Sequence, residues 1–412
     1  MSKSAKFNIS IGILIVLTLI GLGALVYQLI HGLGVTGMNN VVSWGLYIIM
    51  FMFFVGLSAG GLIVSSSATV FNIPSFKVVA KPATILSTVC VIIAATFIMV
   101  DLGSPFRMLN LLLHGQFKSP LMWDVVVISL YLAINVGYLI LMSMKHPNQK
   151  MMNAMSYIAL PVAILVHSVT AWIFGLQIAR SGWYSAIMAP LFVSSALDSG
   201  LALLLIVLVI LRKLKVFHVE NSLIYKLAGL LFIFVAVDAY LIFSEVLTMY
   251  YPQEASTMVV LNEMVKGSMA PFFWGEIVLG LAVPLAILLF RKNRRRIGMV
   301  VFSSALVVFG VFCKRVWLVI SSFMYPNVGG SPGVTTGQYI PSEDPAVMNS
   351  IWASVGQYSP TLIELLIVVG ILSLGVLMFI ILTRLIIGTS DHKKTNVEKK
   401  SSYQSSLQEQ LQ

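Results

Sequence analysis

Charged side chains are scarce in this sequence. Asp, Glu, Lys and Arg make up 10% of 412 residues, where a soluble globular protein has about 25%. With 58% hydrophobic residues and a mean hydropathy of +0.94, the chain is an integral membrane protein, best counted in crossings of about 20 residues. The net charge of +11 does not imply nucleic acid, because the basic residues sit in short links between apolar runs, as the positive-inside rule predicts. Cysteine is nearly absent. Cys90 and Cys313 both lie in hydrophobic segments, two thiolates cannot ligate an iron–sulfur cluster, and neither has a metal-binding spacing. Of the 6 histidines only His167 lies well inside an apolar run, so a bis-histidine haem has one ligand too few. Histidine–methionine ligation could draw on 21 methionines, but methionines in such runs are packing residues. Phosphate loops, dinucleotide fingerprints and zinc spacings are also missing. The expectation is a chain with no haem, no iron–sulfur cluster, no flavin and no metal of its own.

What is present is a series of ten hydrophobic segments, near 9–30, 42–65, 82–100, 122–144, 155–178, 187–211, 223–248, 271–290, 297–322 and 361–387. Each is long enough to cross as a helix, which satisfies its own backbone in lipid. The fold class expected is all-α integral membrane, with about ten transmembrane helices in two bundles. The polytopic domain runs over 1–388 and a polar tail, disordered or a docking peptide, over 389–412. The N-terminal run lacks a small-residue cleavage site and reads as a retained span. Of 26 Lys and Arg, 20 fall on the side of the termini and 4 on the other, with Lys314 and Arg315 inside a span. Both termini are therefore expected in the cytoplasm. The 323–360 loop, with Gly329 to Gly333, Tyr325, Tyr339 and Trp352, is then outward, as a cap, a partner contact or a plain surface loop.

An ionisable residue near the middle of a membrane helix costs about 2.5–3.5 kcal/mol on insertion scales and is a functional candidate by default. His167 and Asp198 fall near mid-depth at the helical rise, Asp238 a little further out. Glu245, Glu276, Lys314, Arg315 and Glu364 lie in outward halves. Lys314 and Arg315 could simply pair with Glu276, Glu245 or Glu364. Alternatively His167, Asp198, Asp238 and Glu276 form a proton path, since histidine and carboxylate at matching depth suit proton exchange.

The link between the third and fourth spans is richer than a connection needs. Asp101-Leu102-Gly103-Ser104-Pro105-Phe106-Arg107 leads through His114 to Ser119-Pro120-Leu121-Met122-Trp123-Asp124. Trp44 and Tyr47 enter the second span at the same depth, and Tyr27 and His31 finish the first. A quinone head needs an apolar slot, hydrogen-bond donors for two oxygens and a base to take protons. Asp124, His114 and Asp101 are the candidate catalytic acceptors, and Trp44, Tyr47, Trp123 and Arg107 the candidate quinone pocket. The stretch Gly56-Leu57-Ser58-Ala59-Gly60-Gly61 removes bulk, for close helix packing or for an isoprenoid tail.

These stretches, GLSAGG, DLGSPFR and SPLMWD, resemble the NrfD/PsrC family of quinone-interacting membrane subunits. His167 through Trp172, Gly175, Arg180, Pro190-Leu191-Phe192 and Ser195 to Gly200 are similar to the next family region. One departure is that Tyr47 and Phe51 stand where the short family form carries polar quinone contacts. The resemblance implies eight to ten spans and electron exchange between membrane quinone, menaquinone foremost, and an adjacent iron–sulfur subunit. That subunit serves a catalytic partner of molybdopterin, hydrogenase or multihaem type, in a prokaryotic cytoplasmic membrane. The polypeptide would be a non-autonomous subunit of an oxidoreductase complex, with proton translocation an open addition. The competing readings are a secondary transporter, which buried charges also fit, and a passive anchor. Pro161, Pro190 and Pro284 interrupt spans, but no convincing internal repeat accompanies them.

Overall fold

A computed structural model describes residues 3–39, 41–144, 148–325 and 356–387. The tail over 389–412 and most of the 323–360 loop, with Gly329 to Gly333, Tyr339 and Trp352, lie outside the described residues. Ten helices are long and apolar enough to cross a membrane. They are α1 (Lys3–His31), α2 (Leu46–Val70), α3 (Ala80–Asp101), α4 (Pro120–Ser143), α5 (Gln149–Gly175), α6 (Met188–Lys213), α7 (Asn221–Tyr250), α8 (Ala270–Leu289), α9 (Ile297–Met324) and α10 (Leu362–Ile386). Among the described residues there are no strands. An even number of crossings returns the polypeptide to the face where it began. That terminal face carries the start of α1 and the end of α10, and the distal face carries the α1–α2, α3–α4, α5–α6, α7–α8 and α9–α10 connections.

Each of the ten helices overlaps one of the ten apolar segments, and three begin several residues away: α1 starts at Lys3, six residues before its apolar run. α2 begins at Leu46, after the cap Gly45, because 42–45 is apolar but not helical. Its serines Ser65, Ser66 and Ser67 continue the helix, buried against neighbours. α5 begins at Gln149 because the Asn148 side chain accepts from the backbone N–H groups of Lys150 and Met151, a cap that outranks the apolar pattern.

α2, α3, α4 and α5 form one bundle and α6, α7, α8 and α9 a second, joined where α2 packs on α6 and α9 and α5 packs on α6. α1 and α10 pair with each other, and α10 lies against α3. The most apolar window of α2 is 89% buried and that of α1 only 11%, so α2 is the hub and α1 faces lipid. Small residues make this possible. A Cβ on Gly60 would lie 2.0 Å from the Gly200 carbonyl carbon of α6, and one on Gly61 2.2 Å from the Ala83 carbonyl oxygen of α3. At these positions GLSAGG serves close packing on two sides at once, in the manner of small residues in membrane bundles.

α8 is not a uniform helix. Gly275–Ala282 is π-helical between α-helical Ala270–Trp274 and Val283–Leu289. Pro284 explains the widening: it has no N–H for the carbonyl of Gly280, and its ring pushes that carbonyl away. π-turns recur at functional sites, and this one carries Glu276.

Candidate functional site

On the distal side of the first bundle, Asp124 sits one turn into α4 and is 4% exposed. Its Oδ1 accepts from the Thr170 hydroxyl of α5 at 2.6 Å. Thr170 lies one turn above His167 on the same helix, which is also buried. Tyr47 is fully buried and donates to Gln28 Oε1 at 2.5 Å, and Gln28 Nε2 reaches the Val100 carbonyl at 3.2 Å. Asp101, next to that carbonyl, keeps a buried Oδ1 with no hydrogen-bond partner. Tyr47, Asp101 and Glu364 are electrostatic neighbours. The structure thus brings Tyr47 and Asp101 together around Gln28, a residue that hydropathy and motif gave no reason to single out.

Glu364 is a structural pin. It accepts from the N–H groups of Gly37 and Thr361 at 2.8 Å each and from the Tyr358 hydroxyl at 2.7 Å. The Tyr358 oxygen in turn accepts from Leu46 N–H at 2.7 Å. Burial, and then the Glu364 carboxylate, hold the Tyr358 phenol well above its ordinary range, so it remains a donor.

Trp44 faces elsewhere. It stacks on Trp183 at 6.0 Å and meets Phe174 and Phe323 edge-on at 5.8 and 5.6 Å, within the normal range of aromatic pairs. Arg180 closes this box from outside, 4.7 Å over Phe323 and bonded to the Ser322 carbonyl. Trp123 is half-buried and donates to the Phe117 carbonyl at 2.5 Å, tying down the α3–α4 link. Arg107 and His114 are exposed on the short helices Pro105–Arg107 and Met108–His114. Among the described residues no hydrogen bond or ion pair joins either to Asp101 or Asp124.

The second bundle gathers the remaining buried charges. Lys314 lies 3.1 and 3.2 Å from the two oxygens of Asp238 and 3.5 Å from Glu276 Oε1. Trp317 donates to Glu276 Oε2 at 2.6 Å. Of the expected pairings, Lys314 with Glu276 is present, but Asp238 is the nearer partner, Glu245 accepts from Ser185 instead, and Glu364 belongs to the pin on the flank. Arg315 ion-pairs with no carboxylate among the described residues. It donates to Ser195 at 2.8 Å and stacks 4.1 Å over Phe192, leaving Nε and Nη1 without partners. No side chain hydrogen-bonds either oxygen of Asp198, and His167 Nε2 is also unpartnered. Arg315 is the electrostatic neighbour of both. Asp238 and Glu276 are therefore joined through Lys314, while among the described residues Asp198 and His167 stand in electrostatic range of Arg315 with no hydrogen bond to it.

A second polar file was missed from the sequence. Asp124, Tyr131, Asn135 and Tyr138 recur along α4 at steps of 7, 4 and 3 and are all buried. The Tyr131 hydroxyl lies 3.2 Å from both Ser58 and Ser87, Asn135 donates to the Tyr131 carbonyl, and Tyr138 meets Ser156 at 2.9 Å. The file ends in a cavity of about 610 Å³ at the terminal face, lined by Ser65, Tyr138, Lys77, Asn72 and Gln149 among others. Its signal was the helical spacing of polar residues on one face of a span.

A ten-helix membrane protein whose polar side chains converge inside two bundles is the class that fold and site define. The chain matches the family described as Polysulphide reductase, NrfD over residues 34–327, and it belongs to that family. It is 36% identical over 389 residues to the putative membrane subunit of a dimethyl sulfoxide reductase of Halobacterium salinarum, an alignment that covers 89% of this protein and 88% of the relative. It is 28% identical over 372 residues to an Hdr-like menaquinol oxidoreductase integral membrane subunit of Archaeoglobus fulgidus, covering 90% and 91%. A polysulfide reductase polypeptide of Wolinella succinogenes is 22% identical over 304 residues, covering 68% of this protein and 94% of that one.

Proposed function

We propose that this chain is the quinol-exchanging membrane subunit of a respiratory oxidoreductase complex in a prokaryotic cytoplasmic membrane. It passes two electrons between menaquinol, or a similar quinol, and an extracytoplasmic iron–sulfur subunit. That subunit serves a catalytic subunit of molybdopterin, hydrogenase or multihaem type. The observation that carries the proposal is Asp124: a carboxylate buried at the distal end of the first bundle and oriented by a single hydroxyl, with the Trp44 aromatic box capping the partner helix α5. A neutral two-electron carrier suits such a place, because it brings no charge to desolvate and needs only an acceptor for each proton it releases.

Oxidation of a quinol yields the quinone, two protons and two electrons. Asp124 takes the first proton and Asp101, beside the Tyr47–Gln28 pair, the second. The electrons leave toward the partner's cluster at the distal face, which in this reading Arg107 and His114 help to engage from outside the pocket. Protons continue along the α4 file or through His167, Asp198, Asp238 and Glu276; either route, followed across the membrane, would make turnover electrogenic. The reverse reaction uses the same groups.

Asp124→Asn tests the proposal, because asparagine can still accept from Thr170 through its carbonyl oxygen but cannot take a proton. Quinol oxidation by the purified complex should fall by at least about 10²-fold, the lower range for a lost acid–base group, with every subunit still present. Wild-type turnover in the variant would remove Asp124 from the reaction. Binding of a quinol analogue to the purified protein separates the proposal from a transporter or an inert anchor, neither of which would bind it.

A further inference from the structure

A groove of about 670 Å³ lies between α5 and α7, floored by α2 and α6, with walls from Ile63, Phe71, Leu160, Ile164, Leu197 and Ile233. This volume is that of a ligand pocket, for which about 300–1,000 Å³ is usual. Ile164, Ile233 and Phe71 are exposed, so the groove opens sideways at hydrophobic depth. Its terminal-face end is different in kind. Lys226 from α7 and Arg294 from the helix Arg291–Arg294 both line it. The Arg294 guanidinium lies 5.7 Å over Phe232, and its Nε is buried with no hydrogen-bond partner. A Cβ on Gly229 would come within 3.3 Å of Arg294 Nη1, so the guanidinium rests against the α7 backbone where a side chain would crowd it. Among the described residues neither cation is ion-paired with a carboxylate.

We propose that this groove binds one anionic phospholipid. Its phosphodiester is held between Lys226 and Arg294, and an acyl chain runs along α7 toward Phe234, roughly 12 Å away at the helical rise. Charge complementarity selects the occupant. A quinone is neutral and gains nothing from two cations at the mouth, whereas a basic pocket between membrane helices suits an anionic headgroup. A free anion would leave the apolar length of the groove unused. Because α5 belongs to the first bundle and α7 to the second, the lipid bridges them where direct packing is sparse.

The test uses the full-length protein, delipidated in mild detergent and followed by native mass spectrometry and thermal unfolding. Phosphatidylglycerol should add as one equivalent and raise the unfolding temperature. Phosphatidylcholine with the same acyl chains should bind roughly thirtyfold more weakly, the contribution expected of two interfacial cations. The double variant Lys226→Gln/Arg294→Gln should lose that preference while unfolding as the wild type does without lipid. Should it fail to fold, Ile233→Trp decides the matter: it fills the groove with both cations in place and should block uptake. Equal binding of the two lipids, a preference surviving in the double variant, or uptake undiminished by Ile233→Trp overturns the proposal. So does inorganic phosphate alone reproducing the thermal shift, which would assign the site to a soluble anion.

Discussion

Lys314 serves two carboxylates at once, and that arrangement makes it the residue whose loss should be felt most. Removing one partner of a buried ion pair typically costs about 3–5 kcal/mol, because the remaining charge stays buried and uncompensated. Lys314→Met would strand Asp238 and Glu276 together within the second bundle. The expected outcome is a markedly lower unfolding temperature in detergent, partly restored in Lys314→Met/Asp238→Asn, where one of the two stranded charges is gone. No restoration in the double variant would mean that Lys314 acts through packing alone. Arg315 differs in kind. Its charge is met by a ring face and one hydroxyl of α6, with Asp198 and His167 in electrostatic range, so its loss would break no ion pair among the described residues. The sequence showed that these charges were buried, because bilayer depth follows from position in a span. It could not show which pairs meet, because that depends on how each helix is rotated. Glu364 was grouped with Lys314 on depth alone, yet it lies on the other flank.

Among elements, α2 is the most constrained, and its glycines differ in what they tolerate. Gly60→Val would drive a branched side chain into the Gly200 backbone, and the α2–α6 crossing could not form; the expected result is loss of folded protein from the membrane fraction. Gly56→Ala is the control. Its nearest neighbours would be Arg315 Nη2 at 3.7 Å and Ser199 Oγ at 3.9 Å, ordinary contact distances, so wild-type yield is expected. Equal yields from both would refute the close crossing. The connection between α7 and α8 offers a pH test. Burial raises the Glu263 carboxyl, but bonds from Ser268 and Tyr325 outweigh it and leave the group below its ordinary 4.5. A depressed folded value means stabilisation that is present above the unfolded value and lost as pH falls through the folded one. Glu263→Gln should therefore lower the unfolding temperature slightly at neutral pH, with the gap to wild type closing in acid. A gap independent of pH would show that the ionised form contributes nothing. The spans themselves were legible because lipid imposes length and hydropathy on each of them. The π-turn of α8 was not, although Pro284 stood in view, since a proline can kink, widen or break a helix depending on its neighbours.

At the scale of the whole molecule, the proposal requires the distal face, with Asp101, Asp124 and the aromatic box, to lie outside the cytoplasm. The lysines and arginines point that way: helix Arg291–Arg294 and the end of α6 crowd the terminal face with positive charge, which favours retention in the cytoplasm. Cysteine labelling can decide it with little background, because Cys90 and Cys313 are 2% and 1% exposed. Tyr251 is 82% exposed at the distal end of α7, and Lys213 is exposed at the terminal end of α6. In intact cells with a permeable outer layer, a membrane-impermeant maleimide should label Tyr251→Cys at once. It should label Lys213→Cys only after the cytoplasmic membrane is opened. The opposite pattern would put Asp124 at the cytoplasmic end of its helix, where electrons from quinol could reach only a cytoplasmic partner. The two outcomes thus decide on which side of the membrane the electron-accepting partner must dock, with the same residues at the site in either case.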